Sequence, residues 1–441
     1  MANLLKHASA LQKHVVIVGG GFAGLSCARK LASNGDVRIT LIDKNNYQQF
    51  QPLLYQVATG ILSPSNAAFA LRSILQGHAN VDVKMAEVVS ADLATRTVRT
   101  TDGQEYLGDF LVLAAGAEVN FFGTPGTDKH VYPLYSLQDA EVLRSRVLEM
   151  FESADRDPSL VEKGALNFVV VGAGPTGAET AGALGDLTKR MARDEFRSLD
   201  LSKAQIFLVD MAESVLGGFS EKSQQYAAKT LEEHGVQIRL GSAVKEITSN
   251  DVLLADGTRI PARTVIWAGG LRARSLSGKV GLKPGRGGRI DVQPDFSVQG
   301  FPGVYALGDF ANILGKNDKN LPQLASVAQQ AGRYCANHIA ATIAGDPSKP
   351  FDYFDKGIMA MIGRNAAVAE VGEQRHELTG PIAFAAWLGV HAVLLTTARA
   401  KVEAFLEWAW DYFGHVHVDS LLDRPSQINW DDDEGKEKKR S

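Results

Sequence analysis

The strongest constraint on this chain is that one supersecondary pattern occurs in it twice. His14-Val-Val-Ile-Val18 reads as a short buried strand running into the turn Gly19-Gly20-Gly21-Phe22-Ala23-Gly24, after which Leu25 to Ala32 has helical spacing. The order returns as Asn167-Phe-Val-Val-Val171, then Gly172-Ala173-Gly174-Pro175-Thr176-Gly177, then a helix from Ala178 to Leu187. Each copy continues to a strand that ends in an acid, Asp43 in the first and Asp210 in the second. Later landmarks stay in step: Gly103 of an Asp-Gly hairpin turn lies 84 residues after Gly19, and Gly257 of another lies 85 after Gly172. The strands that close the units end at Ala115-Gly116 and Ala268-Gly269, with each glycine 97 residues past the first glycine of its motif. Extra sequence in the second copy, Gly185 to Gln205, reads as an elongated helix.

A lone glycine motif is weak evidence, but a strand before it, a helix after it and an acid at the next strand end make the signal strong. The glycines let backbone N–H groups approach a diphosphate, whose charge the helix N-terminus stabilises. Asp43 and Asp210 would each accept hydrogen bonds from a ribose. Asp210 also repels a 2′-phosphate, and Met211 beside it offers no compensating charge, so NADH is expected rather than NADPH. The first copy is followed much later by Gly303-Val-Tyr-Ala-Leu-Gly-Asp309, a strand ending in an acid that would meet the middle of a long dinucleotide; that suits FAD in the first domain and NADH in the second. A helix N-cap is the lesser alternative for Asp309, and the two roles are compatible. After it, Ala325 to Ala344 reads as a helix returning to the first domain.

The fold class is therefore α/β: two Rossmann-like dinucleotide-binding domains, the FAD domain discontinuous and the NADH domain inserted in it, plus a C-terminal helical membrane-associating segment. The expected boundaries are 13–130 and 288–350 for the FAD domain, 131–287 for the NADH domain, 351–425 for a docking and dimerisation region, and 426–441 for a disordered charged tail. A length of 441 residues fits several domains, and a net charge of −4 without a long basic stretch argues against nucleic acid as a partner. Cys27 and Cys335 form no CxxC, CxxxxC or zinc-type spacing and read as small core residues, so disulfide redox chemistry is not expected. Met1 to His14 has no apolar stretch of an export signal. No metal site is expected: His391 has no second ligand at metal spacing, and a flavin accepts hydride without one.

The chain resembles the flavoprotein oxidoreductases with two dinucleotide domains, and among them the type II NADH:quinone oxidoreductases, the non-proton-pumping NADH dehydrogenases. The resemblance runs over roughly Lys13 to Asp423. It is carried by Phe50-Gln-Pro-Leu-Leu-Tyr-Gln-Val-Ala58, Gly172-Ala-Gly-Pro-Thr-Gly-Ala-Glu179, Val265-Ile-Trp-Ala-Gly-Gly270, Ala306-Leu-Gly-Asp309 and an aromatic C-terminal segment. It implies FAD contacts at Gly19, Gly20, Gly21, Phe22, Ala23, Gly24, Asp43, Lys44, Gln51, Val88, Ala115, Gly116, Asp309, Ala325 and Ser326. NADH contacts are implied at Gly172, Gly174, Pro175, Thr176, Gly177, Glu179, Asp210, Gly269 and Gly270. Glu179 and Gln330 are the implied catalytic residues, Glu179 near the nicotinamide and flavin rings. By itself, Glu179 is also the acid that any helix start favours.

On the acceptor side the family has an Ala-Gln-x-Ala-x-Gln helix start lining a quinone pocket. Here Ser326 replaces the first glutamine and Gln330 matches the second, so Gln323 or a water would supply the missing donor, or the acceptor is not a quinone. Pro381 to Ala398 carries no Lys, Arg, Asp or Glu but is a poor span, with Gly, His and two Thr. Val402 to Phe413, rich in aromatic residues beside Arg399 and Lys401, has the pattern of an interfacial helix, though pattern alone favours core. The resemblance implies a peripheral homodimer on the cytoplasmic face of the cell membrane that passes two electrons from NADH through FAD to a quinone. A soluble NAD(P)H-dependent reductase serving a protein acceptor such as a ferredoxin, and a slow redox-sensing flavoprotein, remain as alternatives.

Overall fold

The computed structural model describes residues 12–197, 199–316, 319–413 and 422. The tail expected at 426–441 lies outside the described residues, as does the end of the expected docking region. The elements that place the site run β1 (Lys13–Val18), α1 (Phe22–Leu31), β2 (Val37–Asp43), α2 (Leu54–Ala58), β3 (Val81–Met85), β4 (Phe110–Leu113), β5 (Asn167–Val171), α3 (Pro175–Asp194), β6 (Gln205–Val209), β7 (Val236–Arg239), β8 (Thr264–Trp267), β9 (Val304–Ala306), α4 (Ala325–Ala344), β10 (Gly357–Gly363), β11 (Ala366–Val371), β12 (His376–Thr379), α5 (Gly380–Leu394) and α6 (Ala398–Phe413).

The chain divides into two compact units. The first comprises residues 1–49, 68–118 and 271–355, and the second comprises 50–67, 119–270 and 356–441. In the first unit the parallel sheet has the order β9-β4-β1-β2-β3. Its strands are apolar on both faces because helices or loops cover both, as continuous runs such as Val15-Val-Ile-Val18 require. On one face α1 and α4 pack together; a Cβ at Gly332 of α4 would lie 2.1 Å from the Ala23 carbonyl, so only glycine allows the crossing. Cys27 and Cys335 face each other in this layer as buried free thiols.

The second unit repeats the arrangement: a parallel sheet in the order β8-β5-β6-β7, extended at one edge by the short strand Tyr132–Pro133. The duplication seen in sequence is thus a duplication of topology. The extra sequence after Gly185 continues α3 to Asp194 and then turns through the short 3-10 helix Leu201–Lys203 before β6, so only part of it is helical.

Residues 356–379, expected as part of a helical segment, form an antiparallel sheet β10-β11-β12. Two apolar runs flank Arg364-Asn365, where the chain reverses, and Asn365 adopts φ 61°, a left-handed conformation that asparagine tolerates. The sheet is held against α3, where a Cβ at Gly182 would stand 1.7 Å from the Ile362 carbonyl. Segment 50–67 and this sheet fall with the second unit, whereas the sequence placed 50–67 in the first domain and the C-terminal region by itself.

Candidate active site

Both glycine turns sit at the carboxyl ends of parallel strands, where open α/β sheets bind ligands. Gly19 and Gly172 have φ of 102° and 108°, closed to ordinary side chains. Gly24 and Gly177 let each helix fold back on its turn, since a Cβ there would lie 1.9 Å from the Gly19 carbonyl or 1.7 Å from that of Gly172. At Gly21 and Gly174 a Cβ would meet nothing within 4 Å, and neither helix has a side-chain N-cap. Each turn therefore offers amide donors beneath open space, which fits a diphosphate.

The two acids repeat one geometry. Asp43 accepts from the Gly20 amide at 2.6 Å and the Asn45 amide at 2.7 Å. Asp210 accepts from Ala173 at 2.5 Å and Ala212 at 2.9 Å. Each carboxylate thus pins its glycine turn and keeps lone pairs free for ribose hydroxyls. Burial raises the Asp43 carboxyl, opposed by the Asn45 and Gly20 amides and by the charges of Arg274 and Lys44. Asp309 lies inside the short 3-10 helix Gly308–Phe310 and caps no helix; burial pushes its carboxyl up to about 6 against the pull of Arg289.

Of the other residues expected around FAD, Ala115 and Gly116 follow β4, exposed Lys44 follows β2, and Val88 starts the strand Val88–Asp92. Ala325 and Ser326 open α4. Gln51 falls in the second unit, and its side-chain oxygen is buried without a partner among the described residues. The Gln330 amide is engaged twice by Phe354, donating to its carbonyl at 2.9 Å and accepting from its N–H at 3.1 Å. Ser326 meets the Tyr353 hydroxyl at 2.7 Å, and Gln323 donates to the Asp309 carbonyl at 3.2 Å. Gly269 and Gly270 follow β8, with the Gly270 carbonyl accepting from Asn120 at 3.0 Å.

Glu179 belongs to the second unit and Gln330 to the first. The Glu179 side chain points from α3 into an apolar cavity of about 500 Å³ lined by α2, α3, β10, α5 and α6, all in the second unit. It is 8% exposed, and Oε1 accepts from the Met361 amide at 3.1 Å. Burial pushes its carboxyl up to about 8; the Met361 amide and the Trp387 indole pull the other way. A carboxylic acid that stays protonated near neutral pH can give a proton as well as take one. Tyr55, Gln56, Met361 and Trp408 close the buried end of the cavity, while Asp186, Arg190, Arg364 and Asp411 lie toward its exposed side. Tyr55 and Gln56 fall in the segment 50–58 that carries the resemblance but are not among the site residues named from the sequence, and nothing in the sequence points to Met361 or Trp408 as site residues. Behind Glu179, Trp387 stacks on His391 with ring centroids 3.8 Å apart. His391 donates from Nδ1 to the Trp387 carbonyl at 2.8 Å and is held neutral, its pKa lowered to about 4 by burial. Among the described residues no cluster could hold a metal ion.

Residues 13–332 match the pyridine nucleotide-disulphide oxidoreductase family, and the chain belongs to it. It does so without a paired-cysteine motif, as its two thiols are buried in the first unit. Within that class the chain belongs to the type II NADH:quinone oxidoreductases. It is 39% identical over 414 residues to Mycobacterium tuberculosis type II NADH:quinone oxidoreductase Ndh, covering 89% of this chain and 87% of the relative. The second enzyme of that organism, NdhA, is 38% identical over 421 residues, covering 91% and 87%. The fold is that of NDH2 from Plasmodium falciparum solved in complex with NADH, at a TM-score of 0.84 and 18% identity over 92% of this chain and all of that one.

Proposed function

We propose that this protein oxidises NADH through FAD and passes the two electrons to a membrane quinone without pumping protons. The observation that carries the reading is Glu179: it starts on the helix of the second glycine turn and ends, protonated, in an apolar cavity. The first turn, with Asp43 and Asp309, would hold the FAD diphosphate, ribose and central hydroxyls. When bound, FAD takes up hydride and releases electrons to an acceptor. The second turn and Asp210 would orient NADH, and Asp210 would disfavour a 2′-phosphate. Glu179 supplies a proton that quinone reduction consumes, from a carboxyl whose Oε1 is already committed to the Met361 amide. In the first unit the Ser326 and Tyr353 hydroxyls offer donors where the family has glutamine, while Gln330 braces the Phe354 backbone.

The working domains in this reading are the FAD domain, the inserted NADH domain and a C-terminal docking region of α5 and α6. No helix among the described residues is long and apolar enough to cross a membrane. Yet Ile382 and Val393 on α5, and Val402, Phe405, Leu406, Trp410 and Phe413 on α6, are all exposed. Such a face suits peripheral attachment to the cytoplasmic side of the membrane, or a homodimer contact. The test is steady-state NADH oxidation by the flavin-loaded protein with a short-chain quinone: acceleration is expected, and its absence sinks the proposal.

A further inference from the structure

The α6 helix is apolar on its outward side as well as at its buried positions Ala400, Ala404 and Trp408. Its outward side carries Val402, Phe405, Leu406, Trp410 and Phe413, and its inward side adds directed polar contacts to the buried apolar ones. Glu407 accepts from the Ser63 amide at 3.0 Å and hydroxyl at 2.8 Å, Asp411 pairs with Arg190, and the Tyr412 carbonyl accepts from Arg364. Among these contacts one leads inward. The Trp408 indole donates to Gln56 Oε1 at 2.7 Å, Gln56 Nε2 donates to the Tyr55 hydroxyl at 2.9 Å, and that hydroxyl donates to Met361 Sδ at 3.2 Å. The amide of the same Met361 donates to Glu179 Oε1 at 3.1 Å.

The polarity of this chain has a single origin. An indole N–H only donates, so it forces the oxygen of Gln56 toward α6 and the amino group toward Tyr55. The Tyr55 oxygen is then an acceptor, and its own hydrogen is left for the thioether. Gln56, Tyr55 and Trp408 are 1%, 3% and 6% exposed, so water is not at hand to replace a lost link.

We propose that Trp408 and Gln56 are positioning residues for Glu179, making the seating of α6 part of the geometry that holds the Glu179 proton. The catalytic consequence rests on the proposed NADH-to-quinone activity; the linkage itself does not. Without the indole, Gln56 is free to turn over and the Tyr55 hydroxyl to reorient, so the Met361 thioether loses its Tyr55 and Gln56 contacts and its residue is held by strand pairing alone. A weakened Met361 amide bond removes a donor that favours the charged carboxylate, and the proton is held to higher pH. The other titratable or charged groups around the Glu179 cavity are Tyr55 on α2, Asp186, Lys189 and Arg190 on α3 (Asp186 with its partner His234), Arg364 after β10, and Asp411 and Tyr412 on α6, with His391 of α5 behind Trp387.

Three variants of the flavin-loaded protein interrupt the chain: Trp408→Phe cuts its outermost link, while Gln56→Met and Tyr55→Phe each remove the link on either side of the replaced group. The readouts are the protonated-carboxyl band in infrared difference spectra, assigned by its loss in Glu179→Gln, and the alkaline limb of quinone turnover. Each variant should raise the Glu179 midpoint by roughly half a pH unit, the scale set by one net hydrogen bond. The Trp408→Phe/Gln56→Met double variant should move it no further than the larger single change, because the links act in series. Midpoints that match the unaltered protein, or double-variant shifts that add, overturn the proposal. If Trp408→Phe does not fold, Gln56→Met and Tyr55→Phe decide from the other end. The infrared titration needs no acceptor, so it reads the linkage even in a protein that reduces no quinone.

Discussion

Replacing Glu179 with glutamine should stabilise the protein, and more so as the pH rises. In an unfolded chain this carboxyl ionises near 4.5, whereas burial in the cavity lifts it to about 8. Between those values the unfolded state gives up a proton that the folded state retains, so stability is complete below 4.5 and drains away as pH rises through about 8. At about 1.4 kcal/mol per pH unit the loss is roughly 3 kcal/mol at neutral pH and roughly 5 kcal/mol on the alkaline side. Glutamine keeps an oxygen for the Met361 amide and cannot ionise, so its stability lacks this slope. Any fixed cost of placing an NH₂ beside the Trp387 indole is the same at every pH. Thermal unfolding of the flavin-loaded protein and of Glu179→Gln at acid, neutral and alkaline pH tests this. The difference between them should grow by roughly 5–10 °C in favour of the variant across that range. A difference that stays constant would refute the claim that Glu179 is buried in its neutral form.

Gly24→Ala should yield protein unable to retain flavin, read from its visible absorbance, because the new Cβ would stand 1.9 Å from the Gly19 carbonyl. Asp210→Ala should raise KM for NADH by about tenfold or more and narrow the preference over NADPH, since it removes both a ribose acceptor and the anchor of the Ala173 amide; unchanged kinetics with both nucleotides would count against that site. The triple change Val402→Ser/Leu406→Ser/Trp410→Ser removes only exposed apolar side chains that do not line the Glu179 cavity. At about 1.5–3 kcal/mol each it should weaken binding to lipid vesicles at least about a hundredfold, with turnover of a water-soluble quinone retained; undiminished vesicle binding would place the docking face elsewhere.

What could be read from sequence was local or periodic. The two glycine turns, their acids and the Asp-Gly hairpins at Gly103 and Gly257 are specified by residues adjacent in the chain, and the helix Ala325–Ala344 by its own spacing. Even the β10–β11 hairpin had a legible signal, two apolar runs around Arg364-Asn365, that was missed within a region read as helical. Glu179 was legible from its motif, but its companions in the cavity were not. Tyr55, Gln56, Glu179, Met361 and Trp408 are scattered over more than 350 positions and are chemically ordinary one by one. Gln330 illustrates the converse: its place in a motif was legible, but its two bonds to the Phe354 backbone were not.

The sequence by itself determined the repeated α/β architecture and the two dinucleotide turns, because strand, turn and helix preferences act over a few residues and glycine alone meets the steric demands at Gly19 and Gly172. Only the tertiary structure decided that Glu179 remains a neutral acid in an apolar cavity, and that a tryptophan more than two hundred residues away orients the side chains leading to it. Desolvation and hydrogen-bond direction depend on everything that surrounds a group, and those surroundings exist only once distant segments have packed.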